Sequence, residues 1–521
     1  MNDLDLAHDI VDLAAEVVAA GVDALADRDL DEQQILAYDV SHAASAVEAC
    51  RSVLQYGTHG DHEGALACAY VADVVHDLAT RTFGAESEWG VREDALATTR
   101  DFVGRHRGAD ALGRFANDPG PTHLDDDFAL VAETFRRFAD EKIAPQAEHV
   151  HRTNGDVPEE IITGLAELGA FGLSIPESYG GFADGGSNDY LGMVVATEEL
   201  SRASLGIGGS LMTRPEILTR ALVRGGTEEQ KQQWLPLLAS GEVMAAVAVT
   251  EPDYGSDVAG VRVGATLADD GWHISGTKTW CTFAARADVL LLLARTEPGT
   301  TDHKGLSGFV VPKDRGDGHG FVLTQDHGGR MEARPIDTIG YRGMHSYEIA
   351  FDDWIVPADC QIGGDEGRGR GFYFQMEGFE NGRLQTAARA VGVMQAAYEA
   401  ARDYAAERVV FERPIAEYQL TQAKLGRMAV MIQASRQFMY RVAELMADGE
   451  GMLEASMVKA YVCRAAEWVT REALQIHGGM GYAEEYAVSR YYVDARVLSI
   501  FEGADETLCL KVIARRLLAA R

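Results

Sequence analysis

Lysine is scarce in this 521-residue chain. It stands only at Lys142, Lys231, Lys278, Lys304, Lys313, Lys424, Lys459 and Lys511, against 81 acidic residues and a formal charge of −34. So negative a surface repels nucleic acid and anionic membrane, which excludes both as partners. It also means that an anionic substrate must be received by local basic groups. Cysteine is sparse as well: there are six, and none forms a CxxC pair. A metal framework is therefore not expected, and scattered thiols suit a reducing compartment. No apolar run approaches the ~20 residues that a membrane span needs. The opening MNDLDLAHDIVDLAAEVV has no basic start of a secretion signal. A cytoplasmic protein is expected.

What is present is ordinary for a globular enzyme, with 46% hydrophobic and 25% charged residues. Length predicts about three to four units of ~150 residues. Apolar residues recur at helical spacing over Asp3 to Leu25, Gln33 to Leu54 and Glu63 to Phe83, so residues 1–116 read as an extra N-terminal helical domain. The breaker cluster Asn117-Asp-Pro-Gly-Pro-Thr-His123 reads as a linker. Helical patterning returns over 123–242, interrupted by the glycine-rich stretch from Tyr179 to Gly186. Residues 243–358 carry short β-prone runs: Met244–Thr250, Val261–Ala268, Trp272–Ser275, Val289–Ala294, Gly308–Val311 and Tyr347–Phe351. Long amphipathic helices fill 370–521. The class is α+β.

The first segment has an internal echo. Gln34 to Arg51 lies over Gln419 to Arg436, and Ala69-Tyr70-Val71 matches Ala460-Tyr461-Val462. Either two amphipathic helices share an apolar stripe, or the segment is a degenerate copy of the C-terminal helices.

Several blocks can carry chemistry. Val249-Thr-Glu-Pro-Asp-Tyr-Gly-Ser-Asp257 is a strand ending in a turn, with hydroxyls and backbone N–H groups available to a ligand; it could equally be a polar hairpin. Gly276-Thr-Lys-Thr-Trp-Cys-Thr282 places Trp280 and Thr282 two residues apart, on one face of a regular strand. A ring and a hydroxyl there suit a flat heteroaromatic cofactor, although a core Trp beside a strand Thr is the plainer reading. Glu502, in Ile500-Phe-Glu-Gly503, could be a carboxylate favoured by a helix dipole.

Taken together, VTEPxxGSD followed by GxKxW resembles the acyl-CoA dehydrogenase family. Further blocks occur in order: Ala406-Glu-Arg-Val-Val-Phe411, Gln419, Gln475-Ile-His-Gly-Gly-Met-Gly481 and Ile500-Phe-Glu-Gly503. The similarity runs from Asp125 to the C-terminus. It implies a helical domain, a middle β-barrel domain and a C-terminal four-helix bundle, with FAD between domains and subunits. By resemblance, Val249, Thr250 and Ser256 line the flavin and thioester region, and Trp280 and Thr282 contact the isoalloxazine. Arg408, Phe411, Gln419, Gln475, Gly478 and Gly479 reach FAD of a neighbouring subunit, which implies a homodimer or homotetramer. Glu502 is implied as the base that takes the α-proton of an acyl-CoA, and Gly503 lies beside the substrate. The β-hydrogen leaves as hydride to the flavin, and electrons pass to an electron-transfer flavoprotein. Some relatives carry the base on the helix Met376-Glu-Gly-Phe-Glu-Asn-Gly-Arg383; that position is Gly382 here, with Glu377 and Glu380 nearby. Arg383 matches a basic position that supports the site. Ala504 and Glu506 stand where the family has Thr and Gln, and Glu412 where it has Gly.

The N-terminal extension, with KTWCTFAARAD, LMTRPEIL and YRGMHSYEIAF, resembles the subgroup that oxidises (2S)-methylsuccinyl-CoA to mesaconyl-CoA. A dicarboxylic acyl group needs a cation at the pocket floor. Glutaryl-specific relatives use an Arg where this chain has Gly208, so Arg214 and His345 are the candidates. Medium- or branched-chain thioesters are the alternative, as are an acyl-CoA oxidase and a non-catalytic flavoprotein.

Overall fold

Asn2 starts the first helix. Its side chain accepts from Asp5 N at 2.7 Å while Asp5 caps Asn2 in return, which satisfies N–H groups that a helix start leaves orphaned. In this computed structural model, which describes residues 2–184, 188–316 and 319–521, helices α1 (Asp3–Leu25), α2 (Gln34–Tyr56) and α3 (Asp61–Thr82) follow. Helix α1 buries Ala7, Ile10, Val11, Ala14, Val17 and Val18, the stripe its periodicity dictates. Helix α2 buries small and apolar residues on most faces, from Leu36 to Tyr56, and is the central helix of its group. Gly185 and Gly186 of the glycine-rich stretch lie outside the described residues.

The chain divides into two compact units, Thr134–Gln385 and the combination of Met1–Glu133 with Thr386–Arg521. Helix α4 (Asp126–Phe138) runs into the first of these and continues through a π turn, Ala139–Ile143, into α5 (Ala144–Thr153). Helices α6 (Glu159–Glu167), α7 (Asn188–Ala203), α8 (Thr213–Gly225) and α9 (Glu228–Ala239) complete its helical part. Thr227 and Gln230 form a capping box at the start of α9.

The sheet of this unit comprises β1 (Ala245–Ala248), β2 (Gly264–Ala268), β3 (Gly271–Thr282), β4 (Val289–Arg295), β5 (Leu306–Pro312), β6 (Phe321–Thr324), β7 (Arg330–Ile336) and β8 (Ser346–Val356). The order is β1-β4-β2-β3-β8-β7-β6, with β5 also on β4. Leu218, Leu222, Leu235 and Leu238 from α8 and α9 pack on Ala245, Val289, Leu291 and Val310 of the sheet. Strands β6 and β7 are absent from the sequence reading. Strand β7 alternates Arg330, Glu332 and Arg334 with buried Met331 and Ala333, but it has no continuous apolar run, although its backbone pairs fully with β8. Strand β3 is longer than the run Trp272–Ser275 because it continues through a bulge.

Helix α10 (Gly371–Glu407) leads back into the other unit, where α11 (Gln419–Ala447), α12 (Met452–His477) and α13 (Ala487–Leu498) follow. Helix α2 packs on both α11 and α12, and α3 packs on α11. The aligned residues Gln34 and Gln419 are the first residues of α2 and α11. The matched Tyr70 and Tyr461 lie close enough to perturb each other's phenol.

Candidate active site

In the unit 134–385, the two motif blocks meet through backbone and charge. Thr279 N donates to Thr250 O at 2.8 Å, so the end of the first block lies on the second. Lys278, fully buried, donates from Nζ to Val249 O at 2.8 Å and to Glu251 Oε1 at 2.9 Å. Glu251 in turn accepts from Arg262 N at 2.7 Å and Val263 N at 2.8 Å. Burial pushes the Lys278 ammonium down to about 8, against the pull of Glu251. This pair sets the course of the turn that exposes Ser256.

The one-face argument for Trp280 and Thr282 needs correction. The pairing of β3 with β8 shifts register between Lys278 and Cys281, and Trp280 is left-handed at φ 58°. A bulge interrupts the two-residue alternation and re-aims the side chain within it. Trp280 is turned outward and 55% exposed, whereas Thr282 is buried with its Oγ1 3.1 Å from Ser346 Oγ. A large ring is thus held outward in a costly backbone conformation.

Two cations were candidates for a substrate carboxylate. Arg214, in the first turn of α8, is only 5% exposed and close enough to Cys281 to influence its thiol. It is a buried cation beside β3, not a surface cap. His345 is already engaged: Nε2 lies 3.2 Å from Asp156 Oδ1 and 3.1 Å from Gly155 O, and its ring meets that of His319 at 4.2 Å. The hydrogen bond from His345 holds the Asp156 carboxyl below its ordinary range. An internal carboxylate thus takes the place that a substrate carboxylate would need. Arg383 is half-buried on α10 and Gly382 is buried beside it. Glu380 is half-buried, and the side chain of Glu377 lies outside the described residues.

In the other unit, the hairpin after α10 carries Arg408 and Phe411. Val409–Val410 pairs with Arg413–Pro414, and the two-residue turn has φ 51° at Phe411 and 73° at Glu412. Positive φ at both positions marks the tight turn that matches strand twist, where glycine is the favoured occupant. Phe411 stands 89% exposed at its tip. Tyr404, one turn before Arg408, stacks on His477 at 4.2 Å, so the Gly478 turn sits at the same end of the helices. Gly478 has φ 59° and ψ −134°, a conformation closed to side chains. Among the described residues, a Cβ on Gly478 or Gly479 would meet no atom within 4 Å beyond its immediate chain neighbours. An open glycine backbone beside exposed Arg408, Phe411, Gln419 and Gln475 fits a phosphate-bearing cofactor arriving from outside the chain.

Glu502 lies in the same unit, in the turn between α13 and the helical stretch that begins at Asp505. It is half-buried and left-handed at φ 54°, followed by Gly503 at φ 98°. Two consecutive positive φ values require the turn to be held. Lys459 Nζ, on α12, donates to Gly503 O at 2.6 Å, Asp505 N closes onto Ser499 O at 3.1 Å, and the buried Arg389 lies 4.8 Å from the Phe501 ring centre. Lys459 and Arg389 escaped the sequence reading. The available signal was a charged residue at a buried helix phase, as in Met457-Val-Lys-Ala-Tyr-Val462.

Comparison with known proteins agrees with this layout. The models of the acyl-CoA dehydrogenase N-terminal, middle and C-terminal domains match residues 125–242, 246–354 and 369–518. The chain belongs to the acyl-CoA dehydrogenase family and is an oxidoreductase of that class. It is 46% identical over 401 residues to a (2S)-methylsuccinyl-CoA dehydrogenase of Cereibacter sphaeroides, covering 77% of this chain and 71% of that one. A glutaryl-coenzyme A dehydrogenase solved with glutaryl-CoA superposes with TM-score 0.69 at 29% identity, over 77% of this chain and 98% of that one. A glutaryl-CoA dehydrogenase of Mycobacterium smegmatis, solved with FADH2, gives 0.67 at 26% identity over 76% and 96%.

Proposed function

We propose that the chain is an FAD-dependent dehydrogenase of (2S)-methylsuccinyl-CoA, forming mesaconyl-CoA, with Glu502 as the base. The observation that carries the base assignment is the strained turn of Glu502, which is held by Lys459 and Arg389 and presents a half-buried carboxylate. A carboxylate held against the substrate is the kind of group that can take a weakly acidic α-proton. The backbone N–H of Glu502 serves the thioester oxygen as enolate charge develops. FAD, when bound, supplies the acceptor for the β-hydride. Trp280, Thr250 and Ser256 would hold its flavin end, and Arg408, Phe411, Gln475 and the Gly478–Gly479 backbone would hold its phosphate and adenine end on a second copy of the chain. A homodimer or homotetramer follows, with an electron-transfer flavoprotein as acceptor in the cytoplasm.

The dicarboxylate reading is supported by the burial of Arg214 and by the Cereibacter relative. The test is anaerobic bleaching of bound flavin across a panel of thioesters. Methylsuccinyl-CoA is expected to bleach fastest, and Glu502→Gln to slow bleaching at least ~100-fold, the scale of a lost general base. Bleaching by straight-chain monocarboxylic thioesters alone would overturn the substrate assignment, and bleaching unchanged in Glu502→Gln would overturn the base.

A further inference from the structure

The turn that carries Glu502 is gripped from a second side, by the N-terminal helices. Asp505, three residues on, is 6% exposed. Its Oδ2 accepts from Tyr38 OH at 2.5 Å and lies 3.1 Å from His42 Nε2. Both partners are on α2, one helical turn apart, and their rings meet edge to face at 4.7 Å. Ser41 Oγ, on the same face, lies 3.0 Å from the Cys509 carbonyl. Helix α2 therefore makes three polar contacts with residues 505–509, across more than 460 residues of sequence.

We propose that Asp505 is a positioning residue, through which the N-terminal helical segment fixes the turn that presents Glu502; its bearing on catalysis rests on the base reading above. The mechanical link is short. Asp505 N closes the turn onto Ser499 O at 3.1 Å, and between them lie the left-handed Glu502 and Gly503. Left-handed backbone at a residue with a Cβ costs of order 1–3 kcal/mol and persists only where its surroundings over-determine it. Lys459 holds the middle of the turn at Gly503 O; α2 holds its end at Asp505. The extra segment acts as a brace for the catalytic turn, and two of the three polar contacts that α2 makes there meet this one carboxylate.

The test compares the holoenzyme with Tyr38→Phe, His42→Leu and His42→Gln, and with Asp505→Asn as a milder change at the other partner. Two readouts are taken: amide hydrogen exchange of residues 499–505, and flavin reduction by whichever thioester bleaches fastest. Tyr38→Phe and His42→Leu are each expected to speed exchange about tenfold and to slow reduction at saturating thioester about tenfold, the scale of one lost hydrogen bond to a charged group. KM and FAD content stay within twofold, and His42→Gln, whose amide can still donate to Asp505, recovers most of both effects. Unchanged exchange in Tyr38→Phe and His42→Leu overturns the brace, and faster exchange with unaltered reduction overturns its bearing on catalysis. Glu502→Gln measured alongside separates the two claims. Reduction that survives it removes the base assignment, whereas the exchange data judge the brace whichever group is the base.

Discussion

Lys278→Met should be among the most damaging single changes in the sheet. The lysine is wholly buried, and its ammonium serves two acceptors, Val249 O and Glu251 Oε1. Methionine fills similar volume, so the cavity contribution is small. What remains is a Glu251 carboxylate, 6% exposed, that keeps two backbone donors but has lost its counter-charge. Breaking a buried pair on one side costs about 3–5 kcal/mol. At about 2–4 °C per kcal/mol for a unit of 150–250 residues, the melting temperature should fall by about 6–20 °C. Scanning calorimetry of the holoenzyme measures it, and FAD content should fall too, because the turn after Val249 loses its anchor. The pair, not the lysine's bulk, is the cause, so Lys278→Met with Glu251→Gln should recover a substantial part of the loss. The pH dependence has a definite sign. Lys278 sits near 8 in the fold against an ordinary 10.5, so between these values the unfolded chain binds more protons and rising pH favours the fold. The margin of the wild type over Lys278→Met should therefore widen from pH 8 to 10.5. A single variant within ~1 kcal/mol of wild type, against the 3–5 kcal/mol expected of a broken buried pair, would refute the reasoning, as would a double variant no better than the single.

Glu412→Gly should stabilise the hairpin by about 0.5–1 kcal/mol, because Glu412 at φ 73° occupies a conformation that costs a side chain and not glycine; thermal unfolding reads the gain. Gly478→Ala should cost about 1–3 kcal/mol, from φ 59° with ψ −134°, and should lower retained FAD, measured by absorbance after gel filtration. Asp156→Asn should cost about 1.5–3 kcal/mol at pH 7, the worth of a hydrogen bond to a charged group. The folded Asp156 carboxyl titrates below its ordinary 3.8, so this contribution is full above that pH and lost as pH falls through the folded value. Acid titration of both proteins should show the gap closing below pH 3.8.

The sequence by itself determined the elements and the chemistry-bearing blocks. Periodicity marks α1 to α3, and the aligned Gln34 and Gln419 are the first residues of α2 and α11. The motif blocks singled out Glu502, Trp280, Arg408 and Gly478 through their immediate neighbours in sequence, which are local by nature. Only the tertiary structure decided what holds those blocks. The outward turn of Trp280 depends on a bulge that pairing of β3 with β8 creates, and two-residue alternation cannot foresee a slipped register. Strand β6 is a four-residue edge strand with no buried residue, and β7 buries only Met331 and Ala333 among charged neighbours, so neither forms an apolar run. His345 looked free for a substrate until the fold brought Asp156 to it from 189 residues away, and the burial of the candidate Arg214 shows only in the fold. The supports of Glu502, namely Lys459, Arg389 and the grip of Tyr38 and His42 on Asp505, come from three separate helices. A buried charge is stable only where a partner meets it. That partner is set by packing across hundreds of residues, which no local pattern records.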